Sequence, residues 1–98
     1  MGRMAEIEFS GKVVFYKITN EPAIRRFIES FPDHHWFSKN NTVSFSAAGE
    51  GNDYSGTELM SLIDTEENVI DSAEIAVFSE DNEARFIWTH GYGFEEVL

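Results

Sequence analysis

Asp33, His34 and His35 stand together between a proline and a tryptophan, and they form the most metal-like cluster of the chain. Imidazole and carboxylate both ligate zinc and related ions. Adjacent residues of an extended segment point to opposite faces, however, so His34 and His35 are poorly placed to share one ion. The cluster reads as a polar loop between Pro32 and the Trp36 strand, unless the fold delivers His90 to it. The run from Asp64 to Asp71 is rich in oxygen ligands, but it lacks calcium-loop spacing and has Val69 where the sharp turn needs glycine. It reads as a solvated helix end.

Other catalytic chemistries leave no signature. There is no phosphate-binding loop, dinucleotide fingerprint, HExxH helix or GxSxG elbow. Gly49-Glu50-Gly51 and Gly91-Tyr92-Gly93 hold the close glycine pairs, and neither lies between a strand and a helix with a lysine at hand, so both read as turn geometry. The chain has no cysteine, which removes thiolate metal sites, thiol nucleophiles and disulfides. With no membrane-length apolar run and no apolar leader at Met1–Ala5, that composition predicts a soluble, cytoplasmic protein. No carboxylate pair stands out for acid–base work. The sequence therefore assigns no catalytic, cofactor-binding or metal-ligating residue, and the chain reads as a non-enzyme.

Charge is the informative feature. Eighteen acids face seven bases, for a net charge of −11. Residues 1–41 are nearly balanced, with six bases and five acids, whereas residues 42–98 carry thirteen acids and only Arg85. Such a field repels nucleic-acid phosphate and draws in basic surfaces. The aromatics Trp36, Phe37, Trp88, Tyr92 and Phe94 make a poor base-stacking platform, because Trp88–Leu98 contains Glu95 and Glu96 and no base. Phe37 and Trp88 are expected in the core.

The elements that must present this charge are legible. Ninety-eight residues with nine Phe, three Tyr and two Trp suffice for one core and one domain, residues 1–98. Ile7–Ile18 reads as β-structure, with Ser10-Gly11 compatible either with a tight hairpin turn or with a bulge in one long strand. Ile24, Phe27, Ile28 and Phe31 recur at helical spacing between Thr19-Asn20 and Pro32, which predicts a helix from about Glu21 to Phe31. Asn40-Asn41 predicts a hairpin turn, followed by Val43, Phe45 and Ala47 alternating with serines. Ala48–Asp53 reads as a loop. Ser55-x-x-Glu58 matches a capping box and predicts a helix from about Gly56 to Thr65. Ala73–Ser79 and Ala84–Thr89 read as strands joined by a four-residue loop, Glu80–Glu83, with a tail that adds a strand or frays. The order β(β)αββαββ predicts an α+β fold, an antiparallel or mixed sheet with two helices on one face. A ferredoxin-like sandwich with an additional hairpin satisfies it.

The leading functional expectation is an acidic protein inhibitor that covers a basic surface of a partner, as a nucleic-acid mimic of the anti-defence or toxin-immunity kind does. A nucleic-acid-binding protein or a nuclease is the expected partner, with no direct contact to nucleic acid or membrane. The candidate contact residues are Glu50, Asp53, Glu58, Asp64, Glu66, Glu67 and Asp71, with Glu80, Asp81 and Glu83 as a second patch. An alternative is a scaffold or adaptor subunit that docks on a neighbour, or on its own copy as a homodimer, through Tyr92, Phe94, Val97 and Leu98. A third is a small metal-assisted enzyme built on Asp33, His34, His35 and His90.

Overall fold

A computed structural model describes residues 5–52, 54–80 and 82–97. The elements follow as β1 (Ala5–Lys17), α1 (Glu21–Glu29), β2 (Asp33–Lys39), β3 (Thr42–Gly51), α2 (Ser55–Ile63), β4 (Val69–Ser79), β5 (Asn82–Thr89) and β6 (Gly93–Val97). All six strands join one antiparallel sheet in the order β2-β3-β1-β4-β5-β6. Two split βαβ units interleave in it: β3 lies between β1 and β2, and β1 lies between β3 and β4. This is the α+β class expected, a ferredoxin-like sandwich widened at the β4 side by β5 and β6.

Strand periodicity explains the layer arrangement. In β1 the buried Ile7, Phe9, Val13 and Phe15 alternate with exposed Glu6, Glu8 and Lys12. Val43, Phe45 and Ala47 of β3 and Ala73 and Ile75 of β4 face the same side. Against that face α1 contributes Ile24 and Ile28, and α2 contributes Leu59 and Ile63. Phe31, just past α1, closes the layer with Phe9 and Phe27. The Phe9 and Phe31 rings meet edge-on at 5.5 Å.

Ser10-Gly11 is neither a turn nor a bulge. The ladder to β3 runs without a shift from Ala5 to Val14, and the irregularities of the β4 ladder fall later, between Val14 and Lys17. Gly11 is needed for space: a Cβ there would sit 2.8 Å from both the Phe45 ring and the Glu74 carbonyl oxygen. Gly11→Ala is therefore expected to cost about 1–3 kcal/mol, read as a lowered denaturation midpoint with an unchanged slope.

Several boundaries differ from the sequence expectation. Helix α1 stops at Glu29, because the Ser30 N–H bonds both the Arg26 and Phe27 carbonyls and tightens the last turn before Pro32. The stretch expected as a loop from Ala48 is mostly strand, since β3 continues to Gly51 opposite Ala5. Gly49 stays slim there because a Cβ would stand 2.5 Å from Pro32. The capping box does not form: Ser55 is itself helical and buried, and its Oγ accepts from the Asn52 N–H. Strand β4 begins at Val69, ahead of the expected Ala73, and Ser79 already pairs with Asn82, so the hairpin turn is shorter than four residues. Asn40 and Asn41 take φ of 52° and 61°, the geometry of the predicted two-residue turn.

Asn68 ties the two halves together at the α2–β4 junction. Its Oδ1 accepts from the Thr19 N–H at 2.9 Å and the Thr19 hydroxyl at 3.1 Å. Its amide N–H groups donate to Asn20 Oδ1 at 2.8 Å and the Ile63 carbonyl at 3.0 Å. Asn20 in turn donates to the Leu62 carbonyl at 2.7 Å, so the start of α1 is pinned to the end of α2.

Candidate protein-binding surfaces

Two helices cover one face of the sheet and leave the other bare. Cross-strand register puts Glu6 opposite Glu50, and puts Glu8 in a row with Ala48, Phe78 and Glu83. Asp33, opposite Ala48 on its other side, extends the same row. Side chains of such rows share one face, so Glu6, Glu8, Asp33, Glu50 and Glu83 project from one end of the open face. All five are exposed. Neighbouring strands lie about 4.8 Å apart and alternate residues about 7 Å, so each carboxylate has another within about 10 Å. Between Glu8 and Asp33 the small residues Ser46 and Ala48 leave a recess of 340 Å³, which His35 also lines.

Farther along the open face the charges balance. Arg85 pairs with Glu74, which stands opposite Lys12. Ser10, Ser44, Ser46, Ser72 and Ala76 are small here, and the exposed Phe37 and Ile87 share the face with them.

The acids singled out in the sequence do not form one patch. Glu50, Glu80 and Glu83 lie at the end described, Glu80 with φ 48° in the β4–β5 turn. Asp64, Glu66, Glu67 and Asp71 lie around the α2–β4 junction at the opposite end, and Glu58 lies on the exposed side of α2. About nine residues of strand separate the ends, or about 30 Å, in a molecule 34 Å long. Asp53 and Asp81 fall outside the described residues. Two acids of the second group are engaged locally: Asp64 accepts from the Trp88 indole N–H at 3.3 Å, and Asp71 accepts from the Tyr16 hydroxyl.

Glu6, Glu8 and Asp33 belong to the open-face group although the sequence places them in the balanced half. The signal for the first two was local, since the alternation Glu6-Ile7-Glu8-Phe9 marks both as wet-face strand residues. What the sequence lacked was the pairing of β1 with the ends of β3 and β4.

Hydrogen bonding to Asp71, aided by that carboxylate's charge, raises the Tyr16 pKa above its ordinary 10.0. A raised folded-state pKa stabilises below pH 10.0 and is lost as the pH climbs through the shifted value. Asp71→Asn is expected to bring the Tyr16 titration down toward 10.0, as read by near-ultraviolet absorbance.

The metal reading loses its geometry. His34 faces the helix layer and hydrogen-bonds the Phe31 carbonyl at 2.8 Å, His35 faces the open side, and His90 follows β5 with three strands between it and β2. Among the described residues no group of three His, Asp or Glu is disposed to hold an ion. Phe37, expected in the core, is 62% exposed, because odd residues of β2 face the open side. Trp88 is half-buried against the core. The apolar tail forms β6: Phe94 packs toward the core, Tyr92 is exposed in the preceding turn, and Leu98 lies outside the described residues. Among the described residues no helix is long and apolar enough to cross a membrane.

No protein-family model, curated protein or solved structure matches the chain, so its surfaces are read on geometry alone.

Proposed function

We propose that the protein is an acidic binding domain that occupies a basic, nucleic-acid-binding surface of a partner protein, in the manner of a phage anti-defence inhibitor or a toxin-immunity protein. The observation that supports this reading is the set of Glu6, Glu8, Asp33, Glu50 and Glu83 on one end of the open sheet face, with no lysine or arginine in their rows among the described residues of one chain. Carboxylates about 5–10 Å apart on a rigid sheet present a charge density that Lys- and Arg-rich surfaces otherwise meet in phosphates. A sheet holds them without the ordering cost that a flexible acidic tail incurs on binding. The α2–β4 acids favour the same end, because Asp64 and Asp71 already serve Trp88 and Tyr16.

The test is charge reversal at each end in turn. The triple variant Glu6→Lys, Glu8→Lys, Glu50→Lys is expected to lose capture of a basic nucleic-acid-binding protein from native lysate. Reversal of Glu66 and Glu67 is expected to retain it. Binding by the wild type should weaken at least about tenfold between low and moderate salt and should block the partner's nucleic-acid binding. Equal capture by the triple variant, or indifference to salt, overturns the reading.

A further inference from the structure

We propose that two copies of the chain pair edge to edge through β2, joining their sheets across a two-fold axis at Trp36. Backbone geometry, charge and exposure lead to this edge independently.

The Phe15 N–H donates to the Asn41 carbonyl, so odd-numbered residues of β3 bond β1 and even-numbered ones bond β2. Thr42, Ser44, Ser46 and Ala48 therefore take Lys39, Phe37, His35 and Asp33 as their hydrogen-bonded partners. The N–H and C=O groups of His34, Trp36 and Ser38 point away from the sheet, and among the described residues β2 pairs with no strand but β3. Laid antiparallel about Trp36, a second β2 bonds Trp36 to Trp36, His34 to Ser38 and Ser38 to His34, using every outward group.

The same register makes the strand self-complementary. Asp33 of one copy falls opposite Lys39 of the other, twice by symmetry, and His35 falls opposite Phe37. These pairs occupy the non-hydrogen-bonded positions, where side chains approach closest. Phe37, 62% exposed in the single chain, gains a partner. On the other face the two Trp36 side chains become neighbours.

The other edge of the sheet is closed to this arrangement. Pairing two β6 strands about their midpoint sets Glu95 against Glu95 with Glu96 beside it, and like charges directly opposite repel. β2 also lies in a nearly neutral part of a chain of net charge −11: residues 22–47 hold Arg25, Arg26 and Lys39 against Glu29 and Asp33. The pairing closes on itself and leaves the acid-bearing β6 edges outermost, so it ends at the dimer.

Sedimentation velocity and light scattering of the full chain at sub-millimolar concentration provide the test. The wild type is expected at twice the 11.2 kDa chain mass. Ser38→Pro removes an outward N–H, no bond to β3 and only the exposed hydroxyl bond to Glu21, and is expected to weaken the dimer at least about tenfold while matching the wild-type denaturation midpoint at concentrations where both chains are monomeric. Asp33→Lys and Lys39→Asp singly set like charges opposite each other and should each weaken it about tenfold. The two together restore the opposite-charge pairs and the wild-type affinity. A monomeric wild type, a Ser38→Pro variant that dimerises normally, or a charge-swapped double variant as weak as the singles overturns the pairing.

Discussion

Phe9→Ala is expected to remove about 3–5 kcal/mol of folding stability, the cost of an aromatic truncation where the surroundings cannot collapse. Phe9 is 0% exposed at the centre of the sheet, between Ala47 and Val77 in the register. Its ring meets Phe31 at 5.5 Å and Phe27 at 6.2 Å, and α2 approaches from the other side at Gly56. No neighbouring element is free to move into the gap without leaving its own contacts. A domain of this size has about 5–15 kcal/mol of stability in all, so the change consumes a large share of it. Urea denaturation should show a much lower midpoint with an unchanged slope, and thermal unfolding should shift down by about 15–30 °C. Tyr92→Ala, at a side chain 76% exposed, should stay within about 0.5 kcal/mol of the wild type. Comparable losses from the two variants would place the core elsewhere.

Asn68→Ala is expected to cost about 2–4 kcal/mol, although it deletes little apolar surface. The side chain is 8% exposed and satisfies four partners. Alanine leaves the Thr19 N–H and the Ile63 carbonyl without partners in a place water reaches poorly, and those orphaned groups carry most of the penalty. Asn68→Asp is expected to be no milder. A carboxylate still accepts from Thr19, but it turns a bare oxygen toward Asn20 Oδ1 and the Ile63 carbonyl, where the amide had donated. Amide exchange should localise the damage, with protection lost first at the start of α1 and the end of α2. A loss spread evenly through the sheet would count against this linking role.

The open-face carboxylates show how far local pattern reaches. Glu6 and Glu8 are identifiable as wet-face residues from the alternation of four residues, and Val43, Phe45 and Ala47 as core residues by the same rule. Neither pattern says which strands are neighbours. Counting acids by halves of the chain set Glu6 and Glu8 apart from Glu50 and Glu83, yet antiparallel pairing of β1 with the ends of β3 and β4 brings them together. The same count grouped Glu50 with Asp71, which the fold places near opposite ends of the sheet.

Phe37 and Ser55 failed for a related reason. A large aromatic beside a tryptophan is ordinarily buried, but β2 is an edge strand and only its Trp36 side is sheltered by α1. Ser55 and Glu58 have capping-box spacing, but Ser55 is drawn into the core side of α2 and serves Asn52 instead.

By itself the sequence determined the class of fold, one core, the helix between Asn20 and Pro32, the Asn40-Asn41 turn and the wet or dry side of most strand residues. These follow from propensity and periodicity, which act over a few residues. Strand order, the continuity of β1 through Gly11, the Asn68 junction, the gathering of carboxylates on one end of the open face and the free edge of β2 were decided only by tertiary structure. Each depends on contacts between residues tens of positions apart, and such contacts are selected by how two helices and six strands bury their apolar faces together.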